Sequence, residues 1–316
     1  MLRLDCEITI GKYVFFNVNS VSIELSRKSQ VGRANIILPR RYNKNNIQQA
    51  IFEGDQVNIK LGYNGRLNDE FTGYVSSIGC NIPVEIECED TMYKLKRTAV
   101  KPISWKSIKL EDVIKHVTPE AVIEVNDITL APYYIKGQIT AAKVLENLKD
   151  QFGLDVYYRP DGRLYVGIAY NESEAVKSKP VIYRSGLNII DQDLKYQRAE
   201  GVRIKLRMIS LLKSGKQLTY EAGDPDGEVR TIHEYNLLMD EMKALVDERL
   251  KLFKYDGLQG TFEAFGEPYA THSMIANIKD DKNPDYDGSY LIDTVRTKFG
   301  VGTGYRRDIT LGKKAS

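Results

Sequence analysis

Apolar and polar residues alternate in short bursts over the first hundred positions of the chain. Residues 6–10 alternate, as do Val21, Ile23 and Leu25, and residues 34–38 form a short apolar run ending at Pro39. Further runs cover residues 56–61, 71–78 and 84–88. In the first of these, Val57, Ile59 and Leu61 share one face, because side chains alternate along a strand with period two. Gly11, Gly32, Gly54-Asp55, Asn64-Gly65 and Asn81 separate the runs, and such residues favour turns. The spacing predicts many short strands, as in a small barrel or sandwich. The polar stretch RRYNKNN at 40–46 reads as an exposed excursion.

The period changes near Ala99. Leu110, Ile114 and Val117 define a helix that Ser107 would cap and Pro119 would end. A second helix is predicted after Thr140, with Ala141, Leu145, Leu148 and Phe152 on one stripe and Gly153 as its stop. The runs LDVYY and RLYVG then flank Arg159-Pro160-Asp161-Gly162, a tight-turn composition. Residues 99–175 therefore read as a small α/β unit, and the polar stretch 171–179 as a linker.

β-patterning returns with Val202, Ile204, Leu206 and Met208, followed by the turn-rich stretch 221–227. A long amphipathic helix is predicted from about 236 to 255, with Leu238, Met242, Leu245 and Leu252 as its stripe. Strands follow at 260–265, 273–278, 289–298 and 305–311. Residues 54–78 and 271–295 share a rhythm of strand, loop, glycine and strand, with Gly73-Tyr74-Val75 set against 288–291. The two β-rich ends of the chain thus read as diverged copies.

Composition narrows the function classes. Lys and Arg number 45 against 43 Asp and Glu, a formal balance of +2 that argues against a nucleic-acid binder held by bulk charge. Nothing approaches the ~18 consecutive apolar residues of a membrane span. The first residues lack the pattern of a signal peptide, and cytosolic synthesis is expected. Cys6, Cys80 and Cys88 are too few and too scattered for a disulfide framework. Tyrosine is abundant, 20 residues against 9 Phe and 1 Trp, which suits half-exposed faces and subunit interfaces better than deep cores.

Candidate chemistry is sparse. His116, His233 and His272 are the only histidines and none has metal-ligand or Cys–His spacing. His116 reads as a favourable charge near a helix C-terminus. Gly300, Gly302 and Gly304 superficially match a phosphate cradle, but strand residues on both sides make a hairpin turn the better reading. Asp281, Asn283, Asp285 and Asp287 alternate like a calcium loop, yet Pro284, Tyr286 and Ile292 stand where that loop needs other residues. A solvated hairpin tip is expected instead. Arg40-Arg41 and Lys94-Leu95-Lys96-Arg97 read as solvated or interface charge. No catalytic, cofactor-binding or metal-binding residues are assigned, no cofactor is expected, and the chain reads as a non-enzyme.

The order of motifs resembles the hub proteins of phage tails and related injection machines, the late-control D family and the N-terminal half of valine-glycine-repeat spike proteins. The residues that carry the resemblance are Gly54-Asp55-x-Val57-x-Ile59, Phe71-x-Gly73-Tyr74-Val75-x-x-Ile78 and Ile86-x-Cys88-Glu89-Asp90. Further along come the helix and hairpin at 141–167, Leu258-x-Gly260, Gly266-x-Pro268, Gly288-x-Tyr290-x-Ile292-x-x-Val295 and a closing strand at 305–312. One departure stands out: the second copy has Ala270-Thr271-His272-Ser273 where the family repeats its Gly-Asp pair.

The resemblance implies an α+β, mainly β fold: two tube-type β-barrel domains, at 1–98 and 179–316, flanking a small α/β domain at 99–178. It also implies a structural role. Three chains would form a homotrimeric ring of pseudo-sixfold symmetry, joining a hexameric tail tube protein to a trimeric spike or tip protein and touching other baseplate or tail-tip proteins. DNA or an effector would be only passing cargo, and the location would be the virion tail or the assembled particle. Since the chain ends at Ser316, soon after the last predicted strand, the puncturing tip is expected on a separate polypeptide. Two other classes compete. A receptor- or glycan-binding tail module would use exposed aromatics, but Trp105 is the only Trp. A tail-associated peptidase or glycosidase would need a carboxylate pair or metal ligands, for which no local signature exists.

Overall fold

The structure is a computed structural model and describes residues 3–42, 45–130, 132–168 and 180–315; the expected linker at 171–179 lies outside them. The fold is α+β and mainly β. Its frame is a 13-stranded sheet to which both ends of the chain contribute.

The N-terminal portion supplies β1 (Leu4–Ile10), β2 (Tyr13–Phe15), β3 (Ser20–Ser26), β4 (Arg33–Leu38), β5 (Gln56–Tyr63), β6 (Arg66–Ile78) and β7 (Val84–Glu89). Their inward faces carry the predicted alternation: Ile8, Ile10, Val57, Ile59, Leu61, Val75 and Ile86 are buried in one core. The excursion at 40–46 is a two-residue ladder, Arg41–Tyr42 on Asn45–Asn46. A helical turn at Ile47–Ala50 follows and sends Ile47 into the same core.

A second core belongs to the helical portion. α1 (Leu110–Val117) buries Leu110, Val113, Ile114 and Val117. It starts later than Ser107 would place it, because residues 108–109 are still extended and paired with 129–130; Lys109 occupies the N-cap. α2 (Ala141–Phe152) is bounded as its sequence requires. Thr140 accepts a hydrogen bond from the Lys143 amide, and Gly153 closes the helix in the left-handed region at φ +63°. β8 (Asp155–Tyr158) and β9 (Leu164–Gly167) form the expected hairpin, joined in parallel by the strand Ile123–Val125.

The C-terminal portion supplies β10 (Val181–Arg184) and β11 (Ile189–Gln197). Then comes a separate three-stranded sheet of β12 (Ile204–Leu211), β13 (Gln217–Gly223) and β14 (Glu228–Tyr235), covered by α3 (Met239–Phe253). Met242 and Val246 of α3 meet Ile204, Leu206 and Met208 in a core of their own. The helix is shorter than predicted, and Leu238 is exposed at its N-cap instead of lying in the stripe. The main sheet resumes with β15 (Gly257–Phe265), β16 (Ile275–Lys279), β17 (Gly288–Gly300) and β18 (Gly304–Lys314).

In space the first six main strands run β1-β5-β6-β7-β4-β3, and the last six run β10-β16-β17-β18-β15-β11. Chain order maps onto spatial order in the same way in both, so the repeat is one of topology. The outermost pair differs: β1 is antiparallel to β5, whereas β10 is parallel to β16. The copies also differ between their second and third strands. Residues 27–32 join β3 to β4, but the whole β12–α3 unit separates β11 from β15.

Hydrogen bonds fix the register of the repeat. The Gly54 amide donates to the Val75 carbonyl and the Val75 amide to that of Asp55; in the second copy the Ser273 amide donates to Ile292 and the Ile292 amide to Met274. Gly54 lies at φ +89° and Ser273 at φ +67°. Immediately beyond, both copies carry the same irregularity, between Val75 and Ser77 on β6 and between Ile292 and Thr294 on β17. This corrects the sequence alignment by two residues: Gly73 corresponds to Tyr290, not to Gly288. Ser273 does what glycine does in the first copy, which accounts for the departure at 270–273.

Candidate functional site: joints and edges of the sheet

The two copies meet where β3 runs antiparallel to the far half of β17, Ser26 opposite Thr294 through Ser20 opposite Gly300. Beside this seam lies a buried ionic joint. Arg307 on β18 is 1% exposed and Glu70 on β6 is 3%. The guanidinium donates to both carboxylate oxygens, at 2.9 and 2.5 Å, and also to the carbonyls of Gly266 and Ala270, to Thr297 Oγ1 and to Tyr305 Oη. Tyr305 in turn donates to Glu70. Burial opposes the charge on Arg307, but Glu70 outweighs it and holds its pKa above the ordinary arginine value. A buried pair is stable only when its remaining polar atoms are satisfied, and here the guanidinium donates to five residues.

A second knot ties three parts of the chain together. Arg27, just past β3, pairs with Asp293 on β17 at 2.7 Å and with Asp155 on β8; Lys28 also reaches Asp293 at 2.6 Å. Asp293 is the extra residue of the β17 irregularity, and the bulge aims its carboxylate at these cations. Burial pushes the Asp293 pKa up, yet Arg27 and Lys28 bring it below the ordinary carboxylate value.

Next to the knot, Tyr157 Oη bonds Ser273 Oγ at 2.8 Å and the Tyr157 ring meets the His272 ring edge-on at 4.9 Å. His272 is buried and its Nε2 has no hydrogen-bond partner. Burial first, then the positive charges of Arg159 and Arg27, lowers its pKa to about 3. Its Nδ1 shares a hydrogen bond with Thr271 Oγ1 at 3.1 Å, and the neutral ring packs between the second copy and the helical portion.

The sheet ends at three strands, β2, β10 and β11. β11 pairs with β15 on one side, and among the described residues nothing pairs with its other edge. Most of its side chains are exposed or half-buried.

No protein-family model matches the chain, and no curated protein sequence matches it. Solved structures do. A tail protein from Neisseria meningitidis MC58 superposes with a TM-score of 0.68 at 14% identity, covering 99% of this chain and 97% of its own. The 43 kDa tail protein of prophage MuSo2 from Shewanella oneidensis gives 0.62 at 15% identity, covering 98% of both chains. An Escherichia coli component of the type VI secretion system, described as structurally similar to the bacteriophage T4 tail proteins gp27 and gp5, gives 0.59 at 9% identity, covering 98% of this chain and 77% of its own. The fold is of the phage-tail hub type.

Within this tail-hub fold the sequence-selected residues stay apart. His116 is an exposed residue of α1, edge-on to Trp105 at 5.6 Å. His233, half-buried on β14, lies against Gly153, and burial lowers its pKa. Gly300 and Gly304 pair across the β17–β18 hairpin, with Val301 exposed at its tip. At the acidic hairpin, Asp287 bonds Lys279 and the Asp280 amide, while Asp280 accepts from the Lys282 and Asn283 amides. Its carboxylates fold back on their own loop. Among the described residues no three His, Cys, Asp or Glu are grouped as metal ligands, and no helix is long and apolar enough to cross a membrane.

The basic cluster at 94–97 is tied locally. Lys96 pairs with Glu89 at 2.7 Å, Arg97 lies over the Tyr93 ring and Lys94 over Tyr74, while Leu95 is buried. Arg40 and Arg41 are exposed. Cys6 and Cys88 are buried and Cys80 is exposed; burial raises the Cys6 pKa to about 11 and that of Cys88 to about 12.

The expectation for tyrosine needs correction. Tyr157, Tyr165, Tyr183, Tyr290 and Tyr305 are among the largest fully buried side chains. Most find a partner for the hydroxyl: Tyr165 donates to the Ile168 carbonyl and Tyr290 accepts from the Leu258 amide. These rings act as core spacers with a polar end. The buried ion-paired residues that pattern reading missed, Glu70, Arg307, Arg27 and Asp293, carried one signal in the sequence: charges placed at inward positions of strands or at strand ends.

Proposed function

We propose that this chain is a structural hub of a phage tail or phage-like injection machine, with tube-type modules at 1–98 and 179–316 flanking the smaller portion at 99–178. Three copies would form a homotrimeric ring of pseudo-sixfold symmetry, accepting a hexameric tail tube on one side and a trimeric spike or tip on the other. The observation that carries this reading is the repeated strand order, with its matched hydrogen bonds and matched bulge. A chain that contains one module twice can present six similar surfaces as three subunits, so a sixfold partner and a threefold partner are both met without changing the chain count. The tail-protein fold of the structural neighbours supports the setting. The role is non-enzymatic, the location the tail of the particle, and DNA or an effector passes through the ring without a dedicated binding site.

Light scattering on the purified protein, combined with negative-stain imaging, tests this. The expected result is a mass of three 35.9 kDa chains and rings with a central pore and six similar lobes. A monomer at high concentration, or rings with no pore, would refute it.

A further inference from the structure

The repeat relates the two ends of the sheet residue by residue. Carrying the matched pairings of β4 with β7 and of β15 with β18 outward places Ser20 on Asp191, Ile23 on Leu194, Leu25 on Tyr196 and Arg27 on Arg198. The bulge likewise places Ser77 on Thr294, Ile78 on Val295 and Cys80 on Thr297. The Gly79 amide donates to the Glu85 carbonyl at 2.7 Å, which continues the β6–β7 ladder one step past Ile78.

Under this mapping one chain holds two complementary half-sites. The side of β17 beyond β16 is filled by β3, but the corresponding side of β6 beyond β5 carries no strand among the described residues. β3 has β17 along its outer edge, but β11, the counterpart of β3, has no strand there among the described residues. The open stretch of β6 lies in the interior of the first copy and β11 ends the strand path in the second, so the two half-sites sit in different copies.

We infer that the free edge of β11 pairs antiparallel with residues 77–80 of a second copy of this chain, Gln197 opposite Ser77 and Leu194 opposite Cys80, repeating between chains the β3–β17 seam within one. The inference rests on the hub reading and names the strands that make its ring. Several features of the surface fit it. Leu194 is half-buried, while its counterpart Ile23, paired across to Thr297 of β17, is buried; Tyr196 and its counterpart Leu25 are both half-buried. Ile82, 66% exposed, and Ile190, 42% exposed, flank the two half-sites and would be covered. Gln48 Nε2 holds the Gly79 carbonyl at 3.0 Å, which steadies the receiving segment. Arg198 is exposed, whereas its counterpart Arg27 is buried at the bulge of β17; the pairing brings Arg198 to the Ser76 bulge of the second copy. The contact is head-to-tail, because the two surfaces differ, so it propagates until a ring closes.

Cys80 supplies the test. Opposed residues of antiparallel strands hold their Cα atoms ~4.5–5.5 Å apart, within disulfide reach. Leu194→Cys is oxidised with diamide, which takes up the two electrons and two protons as the thiols join, and is run on a non-reducing gel. Bands at two and three chain masses are expected, none larger, and all lost when Cys80→Ser is added. Lys195→Cys, on the opposite face of β11, gives none. Should Leu194→Cys not fold, Ser77→Cys with Gln197→Cys in the Cys80→Ser background tests the same register. Absence of cross-links in a protein that light scattering shows to be trimeric overturns this pairing and leaves the hub reading standing. A ladder running past three chains supports the pairing and overturns the trimer. A monomer without cross-links overturns both.

Discussion

At the residue scale, His272 shows how a side chain's meaning depends on its surroundings. By sequence it was one of three isolated histidines; in the fold it is a buried neutral ring edge-on to Tyr157. With its pKa lowered to about 3 from 6.5, the unfolded chain binds the proton that the folded chain refuses. Its contribution to stability is therefore complete above pH 6.5 and declines as the pH falls toward 3, by up to ~1.4 kcal/mol per pH unit. Asp90 slopes the other way, since burial pushes it up to about 7 against the hydrogen bonds of the Gly32 and Met92 amides. Its contribution is complete below its ordinary carboxylate range and is lost as the pH rises to 7. The informative quantity is the difference between wild type and His272→Gln in urea midpoint at pH 7.5 and pH 5. The variant should lose less stability on acidification than the wild type; equal losses would show that His272 is not held neutral.

At the element scale, α2 was fully legible. Thr140 caps it and Gly153 ends it, and both signals are local. Gly153 also serves a neighbouring element: a Cβ there would lie 2.3 Å from His233 Cδ2 on β14. Gly153→Ala should therefore cost about 1 kcal/mol for the left-handed backbone, with a further loss from the His233 ring. The second loss should disappear in Gly153→Ala/His233→Ala, measured as a coupling in urea denaturation; additive effects would place the two elements farther apart than the fold does. α1 and α3 were less legible at their ends. Ser107 is a good capping residue, but pairing of residues 108–109 with 129–130 keeps the chain extended past it. Leu238 continues the apolar stripe of α3, yet it stands before the first turn, where nothing covers it.

At the scale of the whole molecule, the Glu70–Arg307 joint connects the two copies across about 237 residues of chain. Removing one partner strands a buried charge, so Arg307→Met or Glu70→Leu should each destabilise by ~3–5 kcal/mol, whereas the two together should cost less than the sum. Denaturant midpoints decide it. A single variant within 1 kcal/mol of wild type would mean that the seam is held by strand pairing alone. The β12–α3 unit enlarges only the second copy, and it does so at a connection, where added chain leaves the sheet order intact.

The sequence by itself determined most N-terminal strands, the β8–β9 hairpin, the three helices and the last strands of the chain, because alternation, capping and turn chemistry act over a few residues; β10, β11, β13 and β14 were not read from it. It also made the repeat visible as a rhythm, and the motif order pointed to the tail-hub fold. Only the tertiary structure decided the register of that repeat, since Ser273 replaces Gly54 in conformation but not in identity and shared backbone hydrogen bonds alone reveal the match. It likewise decided that β3 and β17 join the copies into one sheet, that Glu70 meets Arg307, and that five tyrosines belong to cores. Each of these depends on contacts between residues far apart in the chain, and local spacing, even where it sets a charge at an inward strand position, does not name the partner.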